Sequence, residues 1–238
     1  MPASLTVLMP ALNEAANIEA AARGILDVAD EEQADVELIA LTCLDRDGGS
    51  DGTPDVVRAL AAADPRVRCV HSDAYQLLGE KLRAGIALAT KAHVVMIPGD
   101  NEIEPRSLRA VLRRIGEADM LLCHPANPEA RPWRRRVLSR LYTALVNRLF
   151  GERVLYYNGS NVYRASDLRA LPPMADSFAL GAETVLRLLR AGRSYVEIGV
   201  RLQPRRGRSK AFRVDNVVRV VGDLVRLRLE GPDGRMRA

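Results

Sequence analysis

The sequence predicts an α/β fold: a mainly parallel central sheet flanked by helices. Two observations carry this expectation. Over the first 125 residues, five short apolar runs rich in β-branched residues recur: SLTVLMP, VELIALTC, VRCVHS, HVVMIP and MLLCHP. Between them stand four stretches of helical spacing: NEAANIEAAARGILDVADE, TPDVVRALAAAD, GEKLRAGIALATKA and PRSLRAVLRRIGEA. Strands separated by helices of this length are joined by right-handed crossovers, which makes neighbouring strands parallel.

The elements follow in order. Asn13 is placed to cap the first helix, and Thr53 with Pro54 suits a cap and first-turn position for the second. Past residue 125 the pattern is less regular. WRRRVLSRLYTALVNRLFG sets Val137, Leu138, Leu141, Leu145 and Leu149 on one helical stripe with arginines off it. YYNGSNVYRAS reads as a glycine turn beside a strand, and LGAETVLRLLRAG as a helix closed by Gly192. SYVEIGVRLQ is strand-like, PRRGRSK a basic loop, and VDNVVRVVGDLVRLRLEG a final amphipathic helix. No repeat or low-complexity linker interrupts the chain. One domain over 1–238 is expected, dividing near residue 125.

Composition narrows the function. With 238 residues and 47% apolar content the chain can bury a substantial core. No run of 18 apolar residues occurs, so a membrane span is not expected. The N-terminal MPASLTVLMPALNE has no basic stretch before its apolar run, unlike a secretory leader. Cys43, Cys69 and Cys123 sit singly in apolar runs and read as reduced core residues, which points to a cytoplasmic location. His71, His93 and His124 lack metal-binding spacing. A net charge of +5 implies an anionic partner. Nucleic acid is disfavoured, because 4% aromatic content leaves few platforms for stacking. The charge is uneven: residues 131–151 hold six arginines and no acid, and residues 201–238 hold eleven Lys and Arg against four acids.

Ligands in such sheets bind beyond the carboxyl ends of the strands. Those ends carry Asn13 and Glu14, then Asp45 and Asp47, then Asp100, with Glu102 and Glu104 just beyond in MIPGDNEIEP. In DRDGGSDGTPDVV, glycines permit tight turns and the acids suit a ribose, a base edge or a metal; an acidic surface turn reads equally from this stretch alone. It is neither a Walker loop nor a Rossmann glycine fingerprint, and the closing Glu of a calcium loop is missing.

Taken together, VLMPALNEAANI, LDRDGGSDGTPDVV, HVVMIPGDNEIEP and GAETVLRLLRAGRSYVEIGVRLQPRRGRSK resemble the family 2 glycosyltransferases of GT-A fold, nearest the dolichyl- or polyprenyl-phosphate sugar synthases. The resemblance spans roughly residues 5 to 215 and implies a nucleotide-binding half over about 1–125 and an acceptor-binding half, with a basic C-terminal helix, over about 126–238. It implies a GT-A nucleotide-diphospho-sugar transferase fold, an inverting transfer, and Mg²⁺ or Mn²⁺ as cofactor. Pro10, Asn13 and Glu14 fall on the family's first motif, a nucleotide-sugar contact. Glu14 also suits a first-turn helix acid. The family's acidic turn falls on Asp47 and Arg46, with Asp45 supplying the missing acid if the turn is longer by an insertion. Laid without gaps, the metal segment sets Pro98 on the first family aspartate and Asp100 on the second; alternatively Asp100 and Glu102 form a shifted carboxylate pair.

Hard carboxylate oxygens suit such a cation, and Mg²⁺ needs only one or two of them when substrate phosphates supply the rest. Glu183 falls on the family's acceptor-side acid, as catalytic base or as an orienting group, and also suits a helix N-terminal acid. Arg205, Arg206, Ser209 and Lys210, with Arg208, fall on the phosphate-contacting loop, where a solvated charge run is the other reading. Arg83, in GEKLRAG, is positioned for a phosphate or for the surface. Arg131, Arg134, Arg135 and Arg136 beside Trp133 suit either an interfacial helix on an anionic membrane surface or a core-packed helix with a wet basic face. The implied activity is transfer of a sugar from a nucleotide-diphospho-sugar to a polyprenyl phosphate, with the enzyme peripheral on the cytoplasmic membrane face. The alternatives are a soluble or polysaccharide hydroxyl acceptor, or a nucleotide-binding module without transfer activity.

Overall fold

The computed structural model describes residues 3–172, 175–176, 179–204 and 214–230. Seven strands form one sheet, in the order β3-β2-β1-β4-β6-β5-β7. β1 (Ser4–Ala11), β2 (Asp35–Cys43), β3 (Val67–Ser72) and β4 (His93–Met96) are mutually parallel neighbours, as the alternation of runs predicts. β6 (Val162–Arg164) enters antiparallel between β4 and β5 (Met120–Pro125), and β7 (Tyr195–Val200) lies parallel to β5 at the edge. β1 and β2 are apolar nearly throughout because both faces of the sheet are covered.

Three apolar clusters do the covering. α1 (Ile18–Glu31), α2 (Thr53–Ala63) and α4 (Ser107–Arg114) close one face, and α1 contributes Ile18, Ala21, Ala22, Ile25 and Ala29 at helical spacing. On the other face α3 (Leu78–Leu88) and the short α6 (Ala165–Ala170) pack over Leu8, Ile39 and Leu41. A third cluster joins α5 (Trp133–Phe150), α7 (Leu180–Arg190) and α8 (Val214–Leu229) through Val146, Leu186, Leu224 and Leu227. Burying one such side chain fully is worth about 1.5–3 kcal/mol, so these clusters dominate stability. Cys43, Cys69 and Cys123 are free thiols, and the first and last are buried.

Two expected helix caps need correction: Thr53 does not cap α2 but is its first residue, with Gly52 in the cap position. Asn13 does not cap α1: it takes φ 54° upstream of the helix. Residues 14–17 instead form a turn in which the Glu14 carbonyl accepts from Asn17 N and Ile18 N, both at 2.9 Å. Of the two readings of α5, the stripe is not packed on the core. Val137, Leu138, Leu141, Leu145 and Leu149 are all exposed, while Thr143 and Val146 on the opposite side are buried.

Candidate functional site at the carboxyl edge of the sheet

The register sets the ends of β1, β2 and β4 side by side, pairing Ala11 with Thr42 and Leu8 with Met96. Three turns therefore open at one edge. The first, after β1, holds Asn13 in the left-handed region, which asparagine tolerates better than most residues. Beneath it Lys81 of α3 is buried, and its Nζ donates to the Ala11 carbonyl at 2.9 Å. Burial holds this amine below the usual lysine range. The second turn, after β2, clamps the first: Glu14 N donates to Thr53 Oγ1 at 2.8 Å, and Ala15 N to Asp51 Oδ2 at 3.0 Å. Thr53 N and Oγ1 in turn both donate to Asp51 Oδ1. Burial pushes the Asp51 carboxyl up, but these hydrogen bonds outweigh it and hold the group below the usual carboxylate range.

Within that second turn Asp45 shapes the loop, accepting from Asp47 N at 3.0 Å and Gly49 N at 2.7 Å. Gly48 and Gly52 have φ of 78° and 89°, which glycine alone adopts at little cost. Asp47 is exposed, and Arg46, which gap-free counting sets on a family acid, lies over the Tyr75 ring at 4.6 Å. The third turn follows β4. Gly99 N donates to the Pro10 carbonyl at 3.2 Å, and a Cβ at Gly99 would meet Ala11 Cβ and Ile18 at 3.2 Å. That close approach seats Asp100 beside the end of β1. Asp100 Oδ1 accepts from Glu102 N at 3.1 Å.

Glu102, expected as a second metal ligand, has other partners. Arg131 and Arg135 each grip both of its carboxylate oxygens, at 2.6 to 3.2 Å. Burial raises the Glu102 pKa, but the two guanidiniums outweigh it and the carboxyl stays well below its ordinary value. A carboxylate so paired is an anchor between the Asp100 turn and α5, with its lone pairs already engaged. Among the described residues no group of three or more His, Cys, Asp or Glu could hold a metal. Asp100, at the tip of β4, supplies a hard carboxylate oxygen of the kind that a site completed by substrate phosphates requires.

The same turn is laced to the chain beyond β7: Gln203 N donates to the Glu102 carbonyl and Gln203 Nε2 to Asn101 Oδ1, at 2.8 and 2.9 Å. Arg205, Arg206, Ser209 and Lys210 lie outside the described residues.

Glu183 is 1% exposed in the first turn of α7. Its Oε2 accepts from Ala175 N at 2.7 Å, and its Oε1 pairs with Arg187 at 2.8 Å. Arg187 also pairs with Glu230 at 2.5 Å, tying α7 to the end of α8. Arg83 is drawn into the same region, paired with Asp176 at 2.6 Å. The structure thus brings together Pro10, Asn13, Glu14, Asp45, Asp47 and Asp100 at one edge. It engages Glu102, Glu183 and Arg83 in ion pairs. Asp51, Thr53 and Lys81 were missed as site-shaping residues. The first two lie inside the acidic motif, and Lys81 showed only as a lysine amid an apolar helical pattern.

Comparison with known proteins decides the family. The model for Glycosyl transferase family 2 matches residues 6–171. The chain belongs to this family. It is 32% identical over 152 residues to glycosyltransferase AglD of Haloferax volcanii, a match covering 61% of this chain and 24% of that protein. The chain thus spans about a quarter of the length of that curated relative. Its fold matches glucosyl-3-phosphoglycerate synthase of Mycobacterium tuberculosis solved with Mn²⁺, UDP and glucosyl-3-phosphoglycerate. In that comparison the TM-score is 0.67 and the identity 20%, over 99% of this chain and 82% of that one. The same synthase solved with Mg²⁺ and UDP gives a TM-score of 0.67 at 17% identity, over 99% and 81%. The architecture is therefore GT-A, and the described part of this family 2 member contains no helix long and apolar enough to cross a membrane.

Proposed function

We propose that this chain is an inverting, divalent-cation-dependent glycosyltransferase that moves a sugar from a nucleotide-diphospho-sugar to a phosphate oxygen of a polyprenyl phosphate at the cytoplasmic membrane face. Family membership supports the donor chemistry, and Asp100 at the tip of β4 is the residue suited to the cation. When bound, Mg²⁺ or Mn²⁺ supplies positive charge to the departing nucleoside diphosphate. The chain's own residues do the rest. The turn of Asn13 and Glu14, held by Asp51 and Thr53, and the loop shaped by Asp45 receive the nucleotide. Asp47, exposed in that loop, and Arg83 complete the donor side, and the basic loop with Arg205, Arg206, Ser209 and Lys210 meets phosphate charge.

The acceptor assignment rests on Glu183. Its carboxylate is buried, and its two oxygens are engaged by Ala175 N and Arg187, so neither is presented to an acceptor hydroxyl. A phosphate acceptor is already ionised and needs no base. Its oxygen attacks the anomeric carbon opposite the leaving group, the new C–O bond forms as the bond to the diphosphate breaks, and no proton moves.

The test uses donors with radiolabelled sugar, Mn²⁺, and either polyprenyl phosphate or 3-phosphoglycerate. Label passing into the organic phase only with the lipid phosphate is the expected result. Label on phosphoglycerate alone, or only hydrolysed donor, contradicts the acceptor assignment.

A further inference from the structure

α5 is built inside out. Its 18 residues span about 27 Å, and Trp133, Val137, Leu138, Leu141, Leu145 and Leu149 all point to solvent. Trp133 and Leu141 are 62% and 63% exposed. The inward side is narrow and mixed: Val146 is buried in the core with Tyr142 and Phe150 packed beside it, Thr143 is buried, and Asn147 donates to the Val154 carbonyl and accepts from the Tyr157 hydroxyl. An outward stripe of this extent is well beyond the scattered exposed leucines of an ordinary surface.

Charge identifies what covers it. No acid occurs from Arg131 to Gly151. Arg131 and Arg135 are engaged by Glu102, but Arg134, Arg136, Arg140 and Arg148 have no acidic partner among the described residues. Arg134 and Arg148 stand at the two ends of the apolar face, in the first and last turns, and Arg134 lies over the Trp133 ring at 5.5 Å. A second copy docking through this face would bring these arginines toward their own equivalents, which like-charge repulsion opposes. An anionic bilayer surface complements both features at once. Leucines enter the acyl boundary, the tryptophan sits at headgroup depth, and the arginine stems lie along the apolar surface with their guanidiniums on lipid phosphates.

We propose that α5 is an in-plane docking helix for an anionic lipid bilayer. Through the grip of Arg131 and Arg135 on Glu102, the docked helix also sets the Asp100 turn near the membrane. The proposal goes beyond the acceptor assignment and does not need the acceptor to be a lipid.

The test uses binding rather than turnover. Trp133 is the chain's single tryptophan, so intrinsic emission reports on α5 alone. With vesicles containing about one-third phosphatidylglycerol, the emission should shift to the blue and the protein should co-float. On pure phosphatidylcholine, or at high salt, binding should weaken by about tenfold or more. The double substitution L141D/L145D lies on exposed positions, so it should leave the thermal melt unchanged while abolishing co-flotation. Three results overturn the proposal: unshifted emission with anionic vesicles, equal binding by the double variant, or a dimer in gel filtration that shields Trp133 and dissociates on L141D/L145D substitution.

Discussion

Asp100 and Glu102 stand two residues apart on one turn, yet their surroundings differ. Asp100 is half-buried at the strand tip, whereas Glu102 is enclosed by two guanidiniums that neutralise it. Removing one partner of a buried ion pair leaves the others uncompensated and costs about 3–5 kcal/mol. Glu102→Gln should therefore lower stability by that order in urea unfolding at neutral pH. The folded-state pKa of Glu102 lies below its ordinary 4.5, so its stabilisation is present above that value and is lost as pH falls through the folded pKa. The gap between wild type and variant should accordingly shrink in acid. A gap independent of pH would show that the ion pairs contribute little. The carboxylates were legible as a cluster, but their division was not, because the deciding arginines lie 29 and 33 residues further along the chain. Glu183 is a mixed case. Its i+4 partner Arg187 was visible in the sequence, while Glu230, 43 residues beyond Arg187, was not.

At the scale of elements, the strands with strong alternation against helices were the readable ones. β1 to β5 fall on the five apolar runs; β1 and β2 are buried nearly throughout, whereas the edge strand β3 buries only Val67. β6, three residues long and antiparallel between β4 and β5, carries too short a pattern to announce its place. Its position depends on Gly159, where a Cβ would stand 1.8 Å from the Cys123 carbonyl oxygen. Asn161 completes the seam, with its Oδ1 accepting from Cys123 N at 2.8 Å. Gly159→Ala must displace backbone, a cost at or above the roughly 1–3 kcal/mol of ordinary overpacking. The variant should show a lowered thermal midpoint and faster amide exchange in β5; wild-type values would mean the loop relaxes freely. α5 shows the limit of periodicity: a 3.6-residue pattern defines an apolar face but not which side of it the core occupies.

Across the whole molecule, the division of charge read from the sequence acquires a spatial meaning. Carboxylates gather at the carboxyl edge of the parallel strands, and two arginines of α5, with Gln203 beyond β7, reach the turn at that edge. The GT-A architecture was legible through the order of its motifs, although several positions depart from the family pattern. With Glu102 occupied, the proposed cation is left to Asp100 and the substrate's own phosphates. The most direct test is thermal unfolding of wild type and Asp100→Asn with a panel of nucleoside diphosphates, each with Mn²⁺ or with EDTA. One nucleotide should stabilise the wild type by about 2.7 kcal/mol at a hundredfold excess over its dissociation constant, only when Mn²⁺ is present. Asp100→Asn should melt like wild type in EDTA and lose that gain. Equal stabilisation in EDTA, or in the variant, would contradict the role assigned to Asp100.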